Sequence, residues 1–264
     1  MLSVIVIAKN EELQIRRCLE SVQWADEIIV LDSGSHDQTM TIAHEFTPHV
    51  YSTDWQGYGV QKQRALTHAS GDWVLNLDAD ESVTPSLKKE IQAAIRLDRR
   101  DAYRVPIRLC FYAKVLKFSF SPSRHVRLFK RSGANYSSHI VHEKIILPAK
   151  ARIGRLRSPI MHHSLRDLTH ALEKLNRYSS YSAKTRLQNQ TSSSVWKACS
   201  GSVWMFLRCY FLQGGCWDGR AGFVLACFNA HGSFYRAIKQ VYPDQDLASL
   251  PDATQLFKFR CKEK

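Results

Sequence analysis

The chain has 264 residues, 44% of them hydrophobic, which is enough to fill one large or two small cores. This excludes a disulfide-stapled mini-protein and a mainly disordered chain. The charge is uneven, because residues 1–100 carry 10 basic and 15 acidic side chains, whereas residues 101–264 carry 27 and 9. Such a basic second part indicates an anionic partner, and composition leaves nucleic acid, acidic lipid and a phosphorylated substrate open.

The seven cysteines are an odd number without a Cys-x-x-Cys pair, so neither a disulfide framework nor a zinc site is indicated. We expect reduced thiols in a cytosolic protein. The N-terminal apolar run has no basic region before it, which favours a first β-strand over a signal peptide. The longest apolar stretch, 203–212, contains Arg208 and has roughly half the ~20 residues that a membrane-spanning helix needs.

Three apolar, β-branched runs are typical of strands that are buried on both faces of a sheet. They are LSVIVI at 2–7, EIIVLD at 27–32 and WVLNLD at 73–78. Helical patterns alternate with them, near 11–22, 37–46 and 59–70. Strands that alternate with helices predict a parallel α/β sheet.

The pattern changes in the second part of the chain. Thr84 and Pro85 form an N-cap and a first-turn proline, which predict a helix to about Arg96. The alternating segments 103–109 and 125–130 are more typical of antiparallel or mixed strands. Further helical patterns follow at 167–189, 195–213 and 219–241, with a polar linker at 190–194.

Polar and acidic residues follow each of the three predicted strands, at 9–12, 32–37 and 78–81. Any one of these sets is equally well explained as a turn or a helix cap. In an open parallel sheet, however, ligands bind at the carboxyl ends of the strands, and three such sets at one edge indicate a site. Asp78-x-Asp80 could place two carboxylates on one hard divalent cation that also binds substrate phosphates.

Four N-terminal motifs resemble those of the inverting family 2 glycosyltransferases: VIVIAKNE at 4–11, IVLDSGSHDQT at 29–39, KxRA at 62–65 and SGDWVLNLDADE at 70–81. Five further motifs are similar to the lipopolysaccharide core β-glucosyltransferase subgroup: WADEI at 24–28, VRLFK at 126–130, VHE at 141–143, EKLNRYS at 173–179 and DGRAGF at 218–223. The resemblance covers nearly the whole chain.

This resemblance implies an α/β protein with the GT-A (Rossmann-like) nucleotide-sugar-binding sheet and a helical C-terminal extension. The catalytic domain would comprise residues 1–165, with a nucleotide-sugar half at 1–100 and an acceptor half at 101–165. Residues 166–264 would form a basic, aromatic helical extension. The implied donor is a UDP-sugar, and the implied cofactor is Mg²⁺ or Mn²⁺.

The resemblance assigns four residues to the donor. Glu11 and Asp32 match positions that bind the base and ribose, where carboxylates accept N–H and O–H hydrogen bonds. Helix capping is the alternative for Glu11. Lys62 and Arg64 would offset the charge of the diphosphate, although Arg64 fits a solvated helix face nearly as well.

The resemblance also implies a metal site. Asp78 and Asp80 match the motif that holds Mg²⁺ or Mn²⁺ on the donor diphosphate, with Asp80 as the direct ligand. His162 matches a histidine that would complete the metal shell or touch the diphosphate. The neighbouring His163 leaves open which of the two imidazoles does so.

The catalytic base is expected at Glu143. Many family members use an aspartate in a Glu-Asp pair followed by a Gln/Arg-Trp motif, and this chain has Val141-His142-Glu143 in its place. The alternative for Glu143 is an ion pair with a local arginine. The segment FSFSPS at 118–123 lacks the expected glycine-tryptophan character, which leaves the acceptor open.

The basic second part suggests two partners. Basic residues around the segment 124–131 would suit a phosphorylated inner-core sugar. Alternating aromatic and basic residues at 195–241 suit peripheral contact with an anionic membrane, at the cytoplasmic face of the inner membrane. An ordinary helical core with basic outer faces is the alternative.

The sequence therefore predicts a metal-dependent inverting enzyme that moves a hexose, glucose first, from a UDP-sugar to a lipopolysaccharide inner-core sugar. Transfer to another lipid-linked or capsule glycan is the alternative within this class. A basic nucleic-acid-binding protein is the alternative from another class. It is disfavoured because the chain has no recognised nucleic-acid-binding motif, and no nucleic acid is expected as a partner.

Overall fold

The computed structural model describes residues 1–111, 114–119, 123–137, 144–165 and 167–243. The strands are β1 Leu2–Ala8, β2 Glu27–Asp32, β3 Val50–Ser52, β4 Trp73–Asp78, β5 Glu81–Val83, β6 Ala102–Phe111, β7 Lys114–Val115, β8 Ser123–Lys130, β9 Asn135–Tyr136, β10 Ile145–Ile146, β11 Ile153–Arg155 and β12 Ile160–Leu165. The α-helices are α1 Ile15–Glu20, α2 Thr39–His44, α3 Tyr58–His68, α4 Pro85–Leu97, α5 Leu168–Gln188, α6 Val195–Leu207 and α7 Arg220–Val241.

Strand β1 is buried along its whole length, between β2 and β4 and parallel to both. Val4 and Val6 pack into the core on one face of the sheet, and Ile5 and Ile7 pack into the core on the other. This alternation follows from the two-residue period of a strand, and burial on both faces explains the continuous apolar run. The predicted parallel sheet of three apolar strands is confirmed.

Beyond β4 the sheet becomes mixed. Its main path runs β3-β2-β1-β4-β8-β6-β12-β5, and β8 is antiparallel to both β4 and β6. The prediction of antiparallel or mixed strands after residue 100 is therefore confirmed. Strand β12 brings residues near 162 beside β5, which directly follows the end of β4.

Helix α4 begins as the sequence predicts. The Thr84 hydroxyl accepts a hydrogen bond from the Leu87 amide at 3.2 Å, and Pro85 occupies the first helical position. Leu87 and Ile91 are buried against the sheet one turn apart. The helix ends at Leu97, one residue beyond the predicted end, where Asp98 adopts a left-handed conformation with φ 43°.

The C-terminal extension consists of α5, α6 and α7. Helix α6 ends at Leu207 and continues as a π-helical turn over Arg208–Leu212, so the single predicted helix at 195–213 has two parts. A 3₁₀ helix at Gly215–Asp218 separates it from α7. Among the described helices, none is long and apolar enough to cross a bilayer.

Candidate active site

The carboxyl ends of β1, β2 and β4 lie at one edge of the sheet, and the loops after β1 and β2 hydrogen-bond to each other. The Asn10 side-chain oxygen accepts from the His36 amide at 2.9 Å, and Glu12 Oε2 accepts from the Gln38 amide at 3.1 Å. Asn10 has φ 55°, a conformation that asparagine tolerates better than most residues. The polar sets after the strands therefore lie together, as the sequence predicts.

Asp32 is fully buried at the end of β2, where its carboxylate organises the turn that follows. Oδ2 accepts from the amides of Gly34 and Ser35 at 3.0 and 2.8 Å, and Oδ1 accepts from the Ser35 hydroxyl at 2.5 Å. Gly34 has φ 80°, which favours glycine. A contact between Asp32 and a nucleoside stays a prediction.

Glu11 is half-buried in the loop after β1. Its amide donates to Thr39 Oγ1 at 2.8 Å, and its main-chain carbonyl accepts from the Ile15 amide at 2.8 Å, at the start of α1. These contacts use the backbone of Glu11. Its role toward the donor base stays a prediction.

The centre of the site is a group of four charged residues, the Asp78 cluster, consisting of Lys62, Asp78, Glu81 and Arg127. Asp78 Oδ1 lies 3.0 Å from Lys62 Nζ, and Oδ2 lies 3.0 Å from Arg127 Nη2. Arg127 Nη2 also lies 2.7 Å from Glu81 Oε1. Both oxygens of the Asp78 carboxylate therefore face cations.

Burial and charge act in opposite directions within this cluster. Burial raises the pKa of Asp78, but the charges of Lys62 and Arg127 outweigh it and hold the pKa well below its ordinary value. Burial raises the pKa of Glu81 to about 7, although Arg127 attracts its anionic form. Asp78 is thus the permanently ionised member, whereas Glu81 titrates near neutral pH.

Asp80 lies two residues after Asp78, where it contacts a histidine of β12. His162 Nε2 lies 3.1 Å from Asp80 Oδ2, and both side chains are partly exposed. Burial raises the pKa of Asp80 and lowers that of His162, but their mutual contact dominates, so the pKa of Asp80 is lowered and that of His162 is raised. Two sequence-predicted metal ligands that are 82 residues apart in the chain are therefore neighbours in space.

His163 makes different contacts from His162. Its amide donates to the Asp80 carbonyl at 2.8 Å, and its Nε2 lies 3.3 Å from the Ser82 hydroxyl. Successive side chains of a strand point to opposite faces, so one histidine reaches the Asp80 carboxylate and the other does not. Burial lowers the pKa of His163, in contrast to that of His162.

Whether Asp80 and His162 fit Mg²⁺ or Mn²⁺ depends on how many protein ligands such an ion needs. No cluster of three or more His, Cys, Asp or Glu side chains suited to a metal occurs in the part of the chain that the structure describes. Asp80, in the turn between β4 and β5, and His162, in β12, nevertheless provide a carboxylate and an imidazole side by side. These ions commonly take few protein ligands and keep substrate phosphates and water in the remaining positions, so the pair fits such an ion.

Arg64 and Arg127 make contacts that the sequence does not indicate. Arg64 contacts the main-chain oxygen of Asp54 at 3.0 Å and its Oδ1 at 2.8 Å, and neither Asp78 nor Asp80 contacts it in the described residues. Arg127, assigned by sequence to the acceptor side, is buried in the Asp78 cluster instead. The sequence gives no signal for this burial, because a charged residue next to Leu128 and Phe129 is as easily exposed as buried.

Glu143, the expected base, lies outside the described residues, as does His142.

Comparison with known proteins identifies the family. The model of glycosyl transferase family 2 matches residues 3–146, which is more than half of the chain and includes β1 to β10. The chain belongs to glycosyl transferase family 2. The glycosyltransferase has the mixed α/β GT-A fold with a helical C-terminal part, as the sequence predicts.

Two relatives in sequence are themselves named glycosyltransferases. An uncharacterized glycosyltransferase of Rickettsia typhi is 30% identical over 250 residues, covering 90% of this chain and 86% of the relative. The lipopolysaccharide core biosynthesis glycosyltransferase LpsC of Rhizobium meliloti is 29% identical over 266 residues, covering 95% of each chain. The structure of S. aureus TarS 1–349 in complex with UDP-GlcNAc is similar with a TM-score of 0.49 and 16% identity, covering 88% of this chain and 91% of that one.

In the glycosyltransferase, Asp218 joins the extension to the sheet. Its carboxylate accepts hydrogen bonds from the amides of Lys117, Phe118 and Ser119 at 2.9, 3.0 and 2.6 Å, and Lys114 Nζ donates to its main-chain carbonyl at 2.6 Å. Asp218 is buried, and these bonds lower its pKa despite the opposing effect of burial. The aspartate of the DGRAGF motif therefore fixes the start of the 117–123 segment.

The extension of the glycosyltransferase also exposes large aromatic side chains. We call this set the exposed aromatic surface: Trp196 at 84% exposed, Trp217 at 77%, Phe211 at 58% and Trp204 at 56%. Phe206, Tyr210 and Phe223 instead pack against each other, with ring centroids 5.5 to 5.7 Å apart. Packing between helices accounts for the second set, whereas membrane contact by the exposed aromatic surface stays a prediction.

Proposed function

We propose that this glycosyltransferase moves a hexose, glucose first, from a UDP-sugar to an inner-core sugar of lipopolysaccharide, with inversion at the anomeric carbon. The acceptor class is supported by LpsC, which is similar over 95% of both chains and is named for lipopolysaccharide core biosynthesis. The observation that carries the proposal is the Asp80–His162 pair, which lies at the carboxyl edge of the sheet beside the Asp78 cluster. Ligands of open α/β sheets bind at this edge.

The proposal assigns a role to each residue. Glu11 and Asp32 accept hydrogen bonds from the base and ribose of the donor, and Asp80 and His162 hold Mg²⁺ or Mn²⁺. The metal supplies Lewis-acid stabilisation to the departing nucleoside diphosphate. Asp78 adds a second carboxylate beside the ion. Lys62, which contacts Asp78, is assigned to offset part of the diphosphate charge, and Arg64 would do so only by leaving Asp54.

Glu143 is proposed as the general base. An inverting transfer needs a group that removes the acceptor hydroxyl proton while the oxygen attacks the anomeric carbon from the face opposite the leaving group. A carboxylate is suited to this step, because it can accept the proton of a hydroxyl.

We further propose that the exposed aromatic surface rests on an anionic membrane, where the acceptor lipid would be found. Exposed tryptophans beside the exposed cations Lys197 and Arg208 match an interface that inserts aromatic rings and attracts acidic headgroups. The chain as a whole has a formal net charge of +13.

A two-stage screen tests the proposed reaction. Hydrolysis of UDP-, GDP- and ADP-sugars is measured first, and the preferred donor is then offered with lipopolysaccharide truncated at successive core sugars. We expect UDP-glucose to be preferred and an inner-core acceptor to be extended. Preference for a GDP- or ADP-sugar would refute the donor, and transfer only to a carrier-lipid or capsule glycan would refute the acceptor.

A further inference from the structure

The EKLNRYS motif at 173–179 lies in α5, and none of the roles above uses it. An α-helix has 3.6 residues per turn, so residues three or four apart share a face. Asn176 and Ser179 share one side of α5. Lys174, Arg177 and Tyr178 share another.

The first side anchors α5 to α7. Lys239 Nζ donates to Asn176 Oδ1 at 2.7 Å and to the Ser179 hydroxyl at 3.0 Å. Ser179 is buried. Leu175 adds an apolar contact, because a Cβ placed on Gly232 would lie 4.0 Å from Leu175 Cγ. These contacts set the rotation of α5 about its axis, and therefore the direction of its other side.

Lys174 faces the candidate metal site. Its Nζ donates to the Ser164 carbonyl at 3.1 Å and the Ser164 hydroxyl at 3.3 Å, two residues beyond His162 on β12.

Arg177 and Tyr178 lie one turn beyond Lys174 on the same side of α5. The Tyr178 side chain approaches Tyr58 closely enough to add to the effect of burial in raising the Tyr58 pKa, while Arg177 opposes the rise. Tyr58 lies one turn before Lys62, which binds Asp78. The Arg177 guanidinium carbon lies 5.6 Å from the centroid of the Tyr178 ring, a cation–π contact.

These two cations differ from those of the Asp78 cluster. Lys62 and Arg127 each contact a carboxylate, so their charges are already balanced. Within the residues that the structure describes, Lys174 and Arg177 form no ion pair. Two cations that flank the acidic edge of a sheet without a carboxylate partner are suited to bind an anionic ligand there.

We propose that Lys174 and Arg177, the α5 cation pair, bind the diphosphate of the nucleotide-sugar donor, with Tyr178 positioning Arg177. This inference rests on the proposed function. The extension then forms part of the donor site. Charge that develops on the diphosphate as the sugar departs would be stabilised by the pair, and an arginine can bind two phosphate oxygens at once.

The same phosphate chemistry could come from a phosphorylated acceptor, so the test uses the donor product alone. Binding of UDP and of uridine is measured by titration calorimetry with Mg²⁺ and without acceptor. The proteins are the wild type, Lys174→Met, Arg177→Gln and the double variant. Lys184→Met is the matched control, because it removes an exposed cation from the same helix seven residues beyond Arg177.

We expect each single variant to lower UDP affinity about tenfold, the scale of one charge-assisted hydrogen bond, and to leave uridine affinity unchanged. The conservative variants Lys174→Arg and Arg177→Lys should restore part of the loss. Because Arg177 is exposed, Arg177→Gln tests the pair even if Lys174→Met disturbs the contact with Ser164.

Three results would overturn the assignment. The first is a UDP affinity that falls no further in the Lys174 and Arg177 variants than in Lys184→Met. The second is a parallel fall in uridine affinity, which would mean a structural effect. The third is a rise in the KM for a phosphorylated acceptor while UDP affinity stays unchanged. If the wild type does not bind UDP, the proposed donor is wrong. If the wild type binds UDP and the variants bind it equally well, only the role of the α5 cation pair is wrong.

Discussion

The Nε2 atom of His162 lies 3.1 Å from Oδ2 of Asp80, although 82 residues separate the two in the chain. The pairing of β12 with β5 brings them together, since His162 lies opposite Glu81 in that pairing. The structure thereby joins a histidine of β12 to an aspartate in the turn after β4. This contact is the basis of the first prediction.

Asp80→Ala should lower glycosyl transfer by at least about 100-fold while leaving the fold intact, because a partly exposed ligand contributes little to packing but holds the metal. His162→Asn should act in the same direction. Transfer rates with increasing Mn²⁺ or Mg²⁺ test this, and EDTA should abolish wild-type activity. Asp72→Ala, an exposed aspartate, is the control. Full activity of the wild type in EDTA would exclude a metal role.

Arg127→Met should lower the free energy of unfolding by about 3–5 kcal/mol, because it leaves Asp78 and Glu81 without their shared buried cation. Adding Glu81→Gln should recover part of the lost free energy of unfolding, since it removes one of the two carboxylates that Arg127 no longer neutralises. Urea denaturation measures both. Arg124→Met is the matched control from the exposed end of the same strand, and a change within about 0.5 kcal/mol is expected. Equal effects of the two arginine variants would contradict the role of the cluster.

Glu143→Gln should lower kcat by about 10²- to 10⁴-fold and leave UDP affinity nearly unchanged, because a base acts on the acceptor proton and not on the donor. Steady-state kinetics and UDP titration separate the two effects. A large loss of UDP affinity at constant kcat would instead make Glu143 a donor-site residue.

Asp218→Asn should cost about 1–3 kcal/mol at neutral pH, because an amide replaces a buried carboxylate that accepts three backbone hydrogen bonds. The folded-state pKa of Asp218 is lowered, so its stabilisation is present above the ordinary aspartate value of 3.8 and is lost as pH falls through the lower folded value. Denaturation at neutral and at strongly acidic pH should show the difference from wild type shrinking in acid. A difference that stays constant down to the acid limit would contradict this account.

Trp196→Ser with Trp217→Ser should weaken binding to anionic vesicles without lowering stability, because both rings are mostly exposed. Wild-type binding should fall with salt but not vanish, since inserted rings are insensitive to screening. Co-sedimentation with vesicles of anionic and of neutral lipid measures this. Trp55→Ser, an exposed tryptophan outside the extension, is the matched control. If the folded wild type does not bind anionic vesicles at low salt, membrane contact is refuted.

The local features of the fold were predictable because they depend on neighbours in the sequence. The apolar runs of β1, β2 and β4 follow from burial on both faces, and the start of α4 follows from Thr84 and Pro85. The sequence also separates the helical patterns 195–213 and 219–241, but only the structure shows the π-helical turn over Arg208–Leu212. Sequence patterns indicate that a helix exists more reliably than where it ends.

The composition of the site was determined only in part by sequence. Strand ends at one edge of a parallel sheet made Asp32, Asp78 and Asp80 neighbours by topology. Whether His162 or His163 reaches Asp80 depends on the register of β12 against β5, to which the local sequence gives no signal. The burial of Arg127 likewise depends on β8 lying antiparallel to β4.

The sequence by itself determined which residues end the strands, since alternation and turn chemistry act over a few positions. Only the tertiary structure decided which charges meet across the sheet: Arg127 with Asp78, and His162 with Asp80. The physical reason is that a charged side chain is stabilised by whichever opposite charge the fold brings within a few ångströms. That distance is set by strand register and helix rotation, which long-range packing fixes.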